Sequence, residues 1–177
     1  MLPKKLNDAL NKQINAEAYS GYLYLAMSVW CNEQSLKGFA HWFKIQAKEE
    51  FFHSSKIFDF LTSLDEKITL TAIETPLSSW KSIRDVFDGV LAHEQKVTGM
   101  IENLMNIAKE EKEHKVEIFL QWFVNEQIEE ESTAKDVVSQ LKLIGKDGYG
   151  LYQVDQSMSS RTLGQSVLAA MTGAPAA

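Results

Sequence analysis

The sequence predicts an all-α fold: a four-helix bundle with one long crossover and a short fifth C-terminal helix. Three observations carry this. Four segments repeat apolar residues at steps of three and four, the period of a helix with one buried stripe. Only 3 prolines occur in 177 residues. One connection between the stripes is far longer than its counterparts.

The first stripe, over residues 4–32, runs through Leu6, Leu10, Ile14, Gly21 and Leu25. The second, over 36–64, uses Leu36, Phe39, Phe43, Ile57, Phe60 and Leu64. Ile83, Phe87, Val90, Val97, Ile101, Leu104 and Ala108 form the third. Val116, Phe119, Phe123, Ala134, Val137, Leu141 and Ile144 form the fourth. Turns at Asn32-Glu33 and in the charged run EEKEHK at 110–115 make each pair an antiparallel hairpin. The connection DEKITLTAIETPLSSW at 65–80 exceeds the roughly 2–8 residues usual in bundles. Extended at ~3.3 Å per residue it reaches about 50 Å, against about 42 Å for a 28-residue helix. It therefore runs the length of the bundle, with Ile68, Leu70, Ile73 and Leu77 expected to pack along the outside. Gly145, Asp147, Gly148 and Gly150 are expected to end the fourth helix, and LYQVDQSMSS reads as the fifth. The bundle is assigned to residues 1–160 and a small-residue tail to 161–177, its last residues expected to be mobile.

Composition narrows the function. Hydrophobic residues make up 45% and charged residues 24%, as in a soluble globule, and the length suits one domain. A formal net charge of −6 argues against nucleic-acid binding and accords with handling cations. One cysteine, Cys31, rules out an intramolecular disulfide and fits a reducing cytoplasmic setting. Neither a signal peptide nor an 18-residue apolar span is present, so no membrane partner is expected.

Each stripe is interrupted by polar residues where its own phase demands core. The series 6, 10, 14 arrives at Glu17; 39 and 43 lead to Gln46, Glu50 and His53; 87 and 90 lead to Glu94; 119 and 123 lead to Gln127 and Glu130. All four interruptions lie roughly 18–21 Å from a helix end at ~1.5 Å per residue, so they converge near mid-bundle. Buried carboxylates must take up protons or meet positive charge, and no Lys or Arg occupies these stripes. Two divalent cations would balance four carboxylates, with His53 as nitrogen ligand; such a set suits iron or manganese. A polar layer that only fixes helix register is the alternative, and would bind no metal. His41, His93 and His114 fall off the stripes and read as surface residues.

With LNKQINAEAYSGYLYLAM, LKGFAHWFKIQAKEEFFHSSKIFDFL, HEQKVT and FLQWFVNEQIEEE in the four helices, the chain resembles non-haem ferritins of the prokaryotic type over residues 1–160. The resemblance implies a ferroxidase centre with two irons per subunit: one held by Glu17, Glu50 and His53, the other by Glu94 and Glu130, with Glu50 bridging. It further implies Gln127 beside the centre, Tyr24 as an electron donor, and a third iron site from Glu49, Glu126 and Glu129. Haem is not expected: bacterioferritins repeat Glu-x-x-His in the fourth helix and place a methionine after the first Glu, where this chain has Gln127-x-x-Glu130 and Phe51. Three-fold pores would be lined from Glu113, His114 and Glu117, with Leu120 apolar where animal ferritins carry an acid. The implied function is oxidation of Fe(II) by O2 and storage of ferric oxyhydroxide in a homo-oligomeric shell of 24 subunits. A di-iron oxidase or peroxidase without storage is the runner-up.

Overall fold

Each helix begins and stops for a local reason. In the computed structural model, which describes residues 1–172, the helices are α1 (Lys4–Glu33), α2 (Lys37–Ser63), α3 (Ile83–Glu110), α4 (His114–Ile144), α5 (Gly148–Met158) and α6 (Gln165–Thr172). The first three end in the same closure. A left-handed residue follows each, Ser35 (φ 63°), Asp65 (φ 53°) and Lys112 (φ 57°). The next amide then reaches back to the last turn: Leu36 N to Cys31 O at 2.9 Å, Glu66 N to Leu61 O at 3.0 Å, Glu113 N to Ala108 O at 2.9 Å. This satisfies orphan carbonyls without glycine, at about 1–2 kcal/mol of strain each.

At the end of α4 the chain leaves the helix at a glycine, Gly145, with φ 58°, and Asp147 N donates to Ile144 O at 3.1 Å. Gly148 and Gly150, expected to share in stopping α4, instead open α5. Asp147 caps that helix, accepting from Tyr149 N (3.1 Å) and Gly150 N (3.0 Å). The segment read as tail contains α6, whose Val167 is buried. The expected mobility of the final residues concerns 173–177, outside the described residues.

α1 packs on α2 and α3 on α4, and α5 docks against α2. One close approach fixes that dock. The Asp155 carboxylate, buried, accepts from Phe39 N at 3.0 Å and so caps α2 from 116 residues away. A Cβ at Gly38 would sit 1.6 Å from the Asp155 carbonyl oxygen, so only glycine admits α5 here.

The core is two apolar clusters rather than one. Leu6, Leu10, Ile57, Leu61, Ile101, Val116 and Leu120 lie in the first; Tyr24, Phe39, Phe43, Val86, Phe87, Ala134 and Met158 lie in the second. Leu120, noted from the sequence at the pore position, is thus fully buried in the core. Between the clusters each of the four long helices carries the polar residues that interrupt its stripe. The crossover behaves differently from expectation. Ile68 is partly buried, but Leu70, Ile73 and Leu77 are exposed. An asparagine row on α1 holds the strap instead: Asn7 donates to Glu66, Asn11 to the Lys67 carbonyl, Asn15 to the Thr71 and Ala72 carbonyls. Thr69 N donates back to Asn11 Oδ1 at 2.7 Å. An extended chain makes polar backbone its main demand, and asparagine meets it with both donor and acceptor.

Gly38→Ala is expected to unseat α5 while the four long helices stay folded. Amide exchange across Leu151–Met158 then accelerates about 100-fold, equivalent to ~3 kcal/mol. Unchanged exchange there contradicts the dock.

Candidate dimetal carboxylate centre

Helical spacing delivers the polar layer to one point. Glu17 comes from α1, Glu50 and His53 from α2, Glu94 from α3, Gln127 and Glu130 from α4. Glu17, Glu50, His53 and Glu94 are each no more than 2% exposed. Two triads form, Glu17–Glu50–His53 and Glu50–Glu94–Glu130, each with one ligand atom per residue within 4.8 Å of the others. Glu50 belongs to both.

Neighbours orient the carboxylates. Gln13 Nε2 donates to Glu17 Oε1 at 2.8 Å, an interaction sequence reasoning missed although Gln13 lies one turn before Glu17. The fully buried Tyr24 donates its hydroxyl proton to Glu94 Oε1. Gln127 Nε2 lies 3.3 Å from Glu94 Oε2, the Glu94 carbonyl and Thr98 Oγ1. Burial and the surrounding carboxylates push the Tyr24 hydroxyl well above the ordinary tyrosine range, so it stays a donor.

Of six buried side-chain atoms without partners among the described residues, four converge here: Glu17 Oε2, Glu50 Oε1, His53 Nε2 and Glu130 Oε2. Buried polar atoms are almost always satisfied, because each orphan costs about 1–3 kcal/mol. Here all four belong to the two triads. Burial, the largest cause, raises Glu17, Glu50, Glu94 and Glu130 above the usual carboxylate range, Glu50 and Glu130 strongly. Like charge adds to the rise at Glu50, from Glu94 and Glu17. Carboxylate oxygens and one imidazole nitrogen, converging and unsatisfied, fit a pair of hard divalent cations.

The model of the ferritin-like domain family matches residues 7–144, a span holding every residue of both triads. The chain belongs to the ferritin family. A bacterial non-heme ferritin of Staphylococcus saprophyticus is 39% identical over 166 residues, covering 94% of this chain and 99% of the relative. One from Staphylococcus haemolyticus is 40% identical over 162 residues, covering 92% and 98%. An open-pore ferritin from the hyperthermophilic archaeon Archaeoglobus fulgidus superposes with TM-score 0.90 at 42% identity, over 92% of this chain and 99% of that one.

In this ferritin-family chain the remaining site residues divide. Glu49 and Glu126 are buried and Glu129 is exposed. The three line a cavity of about 20 Å³ together with Glu94, Glu130 and Arg161, room for one water-sized guest. Among the described residues their oxygens do not close into a third triad. Arg161 Nη2 donates to Glu49 Oε2 at 2.8 Å, and the Gly164 amide to Glu49 Oε1 at 2.6 Å. His114 is exposed as expected, paired with Glu117 at 3.1 Å. His93 is not a surface residue. It is half-buried, its Nε2 2.8 Å from Ser20 Oγ and its ring edge-on to Tyr24 at 6.2 Å. Burial lowers its pKa to about 4, so it is neutral at physiological pH. His41 is also half-buried, its Nε2 2.9 Å from the Arg161 carbonyl.

A carboxylate whose folded pKa lies above its unfolded one loses stability as pH rises through that range. Glu50→Gln is therefore expected to raise the melting temperature of the metal-free protein, and by more at about pH 8 than at about pH 5. Calorimetry at the two values checks this, and a lowered melting temperature at both contradicts it.

Proposed function

We propose that this ferritin-family chain stores iron and oxidises it, acting as a ferroxidase at the carboxylate centre. Four sealed, unpartnered ligand atoms carry the reading. Iron is the substrate. One Fe(II) lies between Glu17, Glu50 and His53, the second between Glu94 and Glu130, with Glu50 bridging. Hard anionic oxygens favour the higher charge, so the set stabilises Fe(III) over Fe(II). Each iron passes one electron to O2, the oxidant, and two irons side by side deliver a pair. Tyr24 and Gln127 hold Glu94 in place. Tyr24, hydrogen-bonded directly to a ligand, is the electron donor available when dioxygen needs more than two.

Glu49, Glu126 and Glu129 form a third iron position on this reading, reached through the shared cavity. No residue here supplies a haem site on this reading. Storage requires a container, and we assign a homo-oligomeric shell of 24 subunits. Near-complete coverage of the bacterial non-heme ferritins and of the archaeal open-pore ferritin supports it. Exposed apolar residues on the helices, Tyr22, Val29, Ile118 and Ile128, suit burial between subunits. A single buried thiol, Cys31, pushed up to about 12 by burial, accords with a reducing cytoplasm where it stays inert. Hydrolysis of Fe(III) then deposits ferric oxyhydroxide inside.

Glu50→Ala and His53→Ala are expected to fold and assemble but oxidise Fe(II) at least about 100-fold more slowly, beyond the 10–100-fold cost of losing an outer partner. Stopped-flow absorbance under oxygen measures the rate, and light scattering measures the mass. Rapid oxidation by the folded double variant removes the site assignment. Rapid oxidation by a small wild-type oligomer favours the oxidase without storage.

A further inference from the structure

After α5 the chain turns back across the bundle, and residues 161–167 lie against the wall of the centre. Both oxygens of Glu49 are engaged by this segment, one by Arg161 Nη2 and one by the Gly164 amide. Arg161 also donates to Gln46, and its guanidinium lies over Trp42, 4.9 Å from the ring centroid. Its carbonyl is 2.9 Å from His41 Nε2. Farther along, the Ser166 hydroxyl lies beside Glu126 and Val167 is buried.

The cavity beneath is lined by Glu49, Glu94, Glu126, Glu129 and Glu130, and among the described residues Arg161 is its only cationic side chain. Two of these acids belong to the centre, three to the outer set, so the cavity joins them. Glu130 Oε2 is sealed and unpartnered, and so is Arg161 Nε. The fork of the guanidinium is thus half used: one nitrogen makes both of its bonds while another makes none. Such a contact balances charge without the full bidentate grip that arginine can give a carboxylate. The side chain is 23% exposed, which leaves it a way out.

We propose that Arg161 is the resident cation of this cavity, and that any metal ion beyond the first two must displace it from Glu49. Residues 161–167 thereby gate the third metal position and set its affinity. The proposal rests on reading the centre as a di-iron site. Metal ion and guanidinium compete for the same Glu49 oxygen. Arginine keeps its charge at every accessible pH, so displacement needs a cation of higher charge, and a divalent ion brings it.

Zn(II), redox-inert, is the probe for the assembled metal-free protein. Calorimetric titration is expected to show two tight sites and one weaker site per chain. Arg161→Gln strengthens the third at least about tenfold, within the usual 5–150-fold range of coupled sites, and leaves the first two unchanged. Arg161→Lys, keeping charge but losing the fork, falls between. Absence of the two tight sites in the wild-type protein overturns the di-iron reading and this proposal with it. Two tight sites with a third indifferent to Arg161→Gln overturn this proposal alone. A second readout needs no variant. Between two and three equivalents of Zn(II), hydrogen exchange across residues 161–167 accelerates at least about tenfold as the segment loses its Arg161 anchor on Glu49. Unchanged exchange there overturns displacement.

Discussion

Four carboxylates buried together, with no Lys or Arg in the two triads they form, are the constraint on which the rest of this molecule depends. Glu17, Glu50, Glu94 and Glu130 meet mid-bundle, where burial pushes each above the usual carboxylate range. A protein of marginal stability does not carry such a cluster for nothing. Its presence explains why the apolar core is split into two clusters and why each long helix changes character at the same depth. The two clusters act as clamps on either side, holding four helices in register so that the polar layer stays assembled when metal-free. Gln13, Tyr24 and Gln127 then remove part of the cost by donating to two of the carboxylates, leaving four unpartnered atoms in the two triads.

Much of this was readable in the sequence because helical periodicity is rigid. A residue's phase on a 3.6-residue turn fixes which face it occupies, so Glu17, Glu50, Glu94 and Glu130 could be placed at one level from their spacing alone. Spacing put Gln127 in the polar layer, whereas Tyr24 needed the resemblance to ferritins, since nothing in its spacing distinguishes it from core. The crossover was legible in length but not in contact. Its apolar residues suggested packing, whereas the strap is held by hydrogen bonds from Asn11 and Asn15 to its backbone and from Asn7 to the Glu66 carboxylate. Those asparagines recur every four residues on one face of α1, a signal that was available.

Tertiary contacts from the C-terminal segment were not legible. Arg161 meets Glu49 across 112 residues, and that meeting depends on how α5 sits against α2. The dock in turn depends on Gly38 lacking a Cβ and on Asp155 capping α2. No pattern within residues 161–172 reveals it, because the partners are distant in the chain. Likewise His93 falls off the α3 stripe yet is half-buried, because Ser20 and Tyr24 on α1 cover it. Position on a stripe tells which way a side chain leaves its helix, and the neighbouring element decides what it meets.

The central claim is that the two triads hold a pair of metal ions sharing Glu50. Anomalous diffraction from crystals loaded with Fe(II) under anaerobic conditions tests it most directly. The account predicts two peaks about 3.5–4 Å apart, the separation usual in two-metal sites, one within bonding reach of Glu17 and His53, the other of Glu94 and Glu130. Peaks confined to Glu49 and Glu129, or none within reach of Glu50, would contradict it.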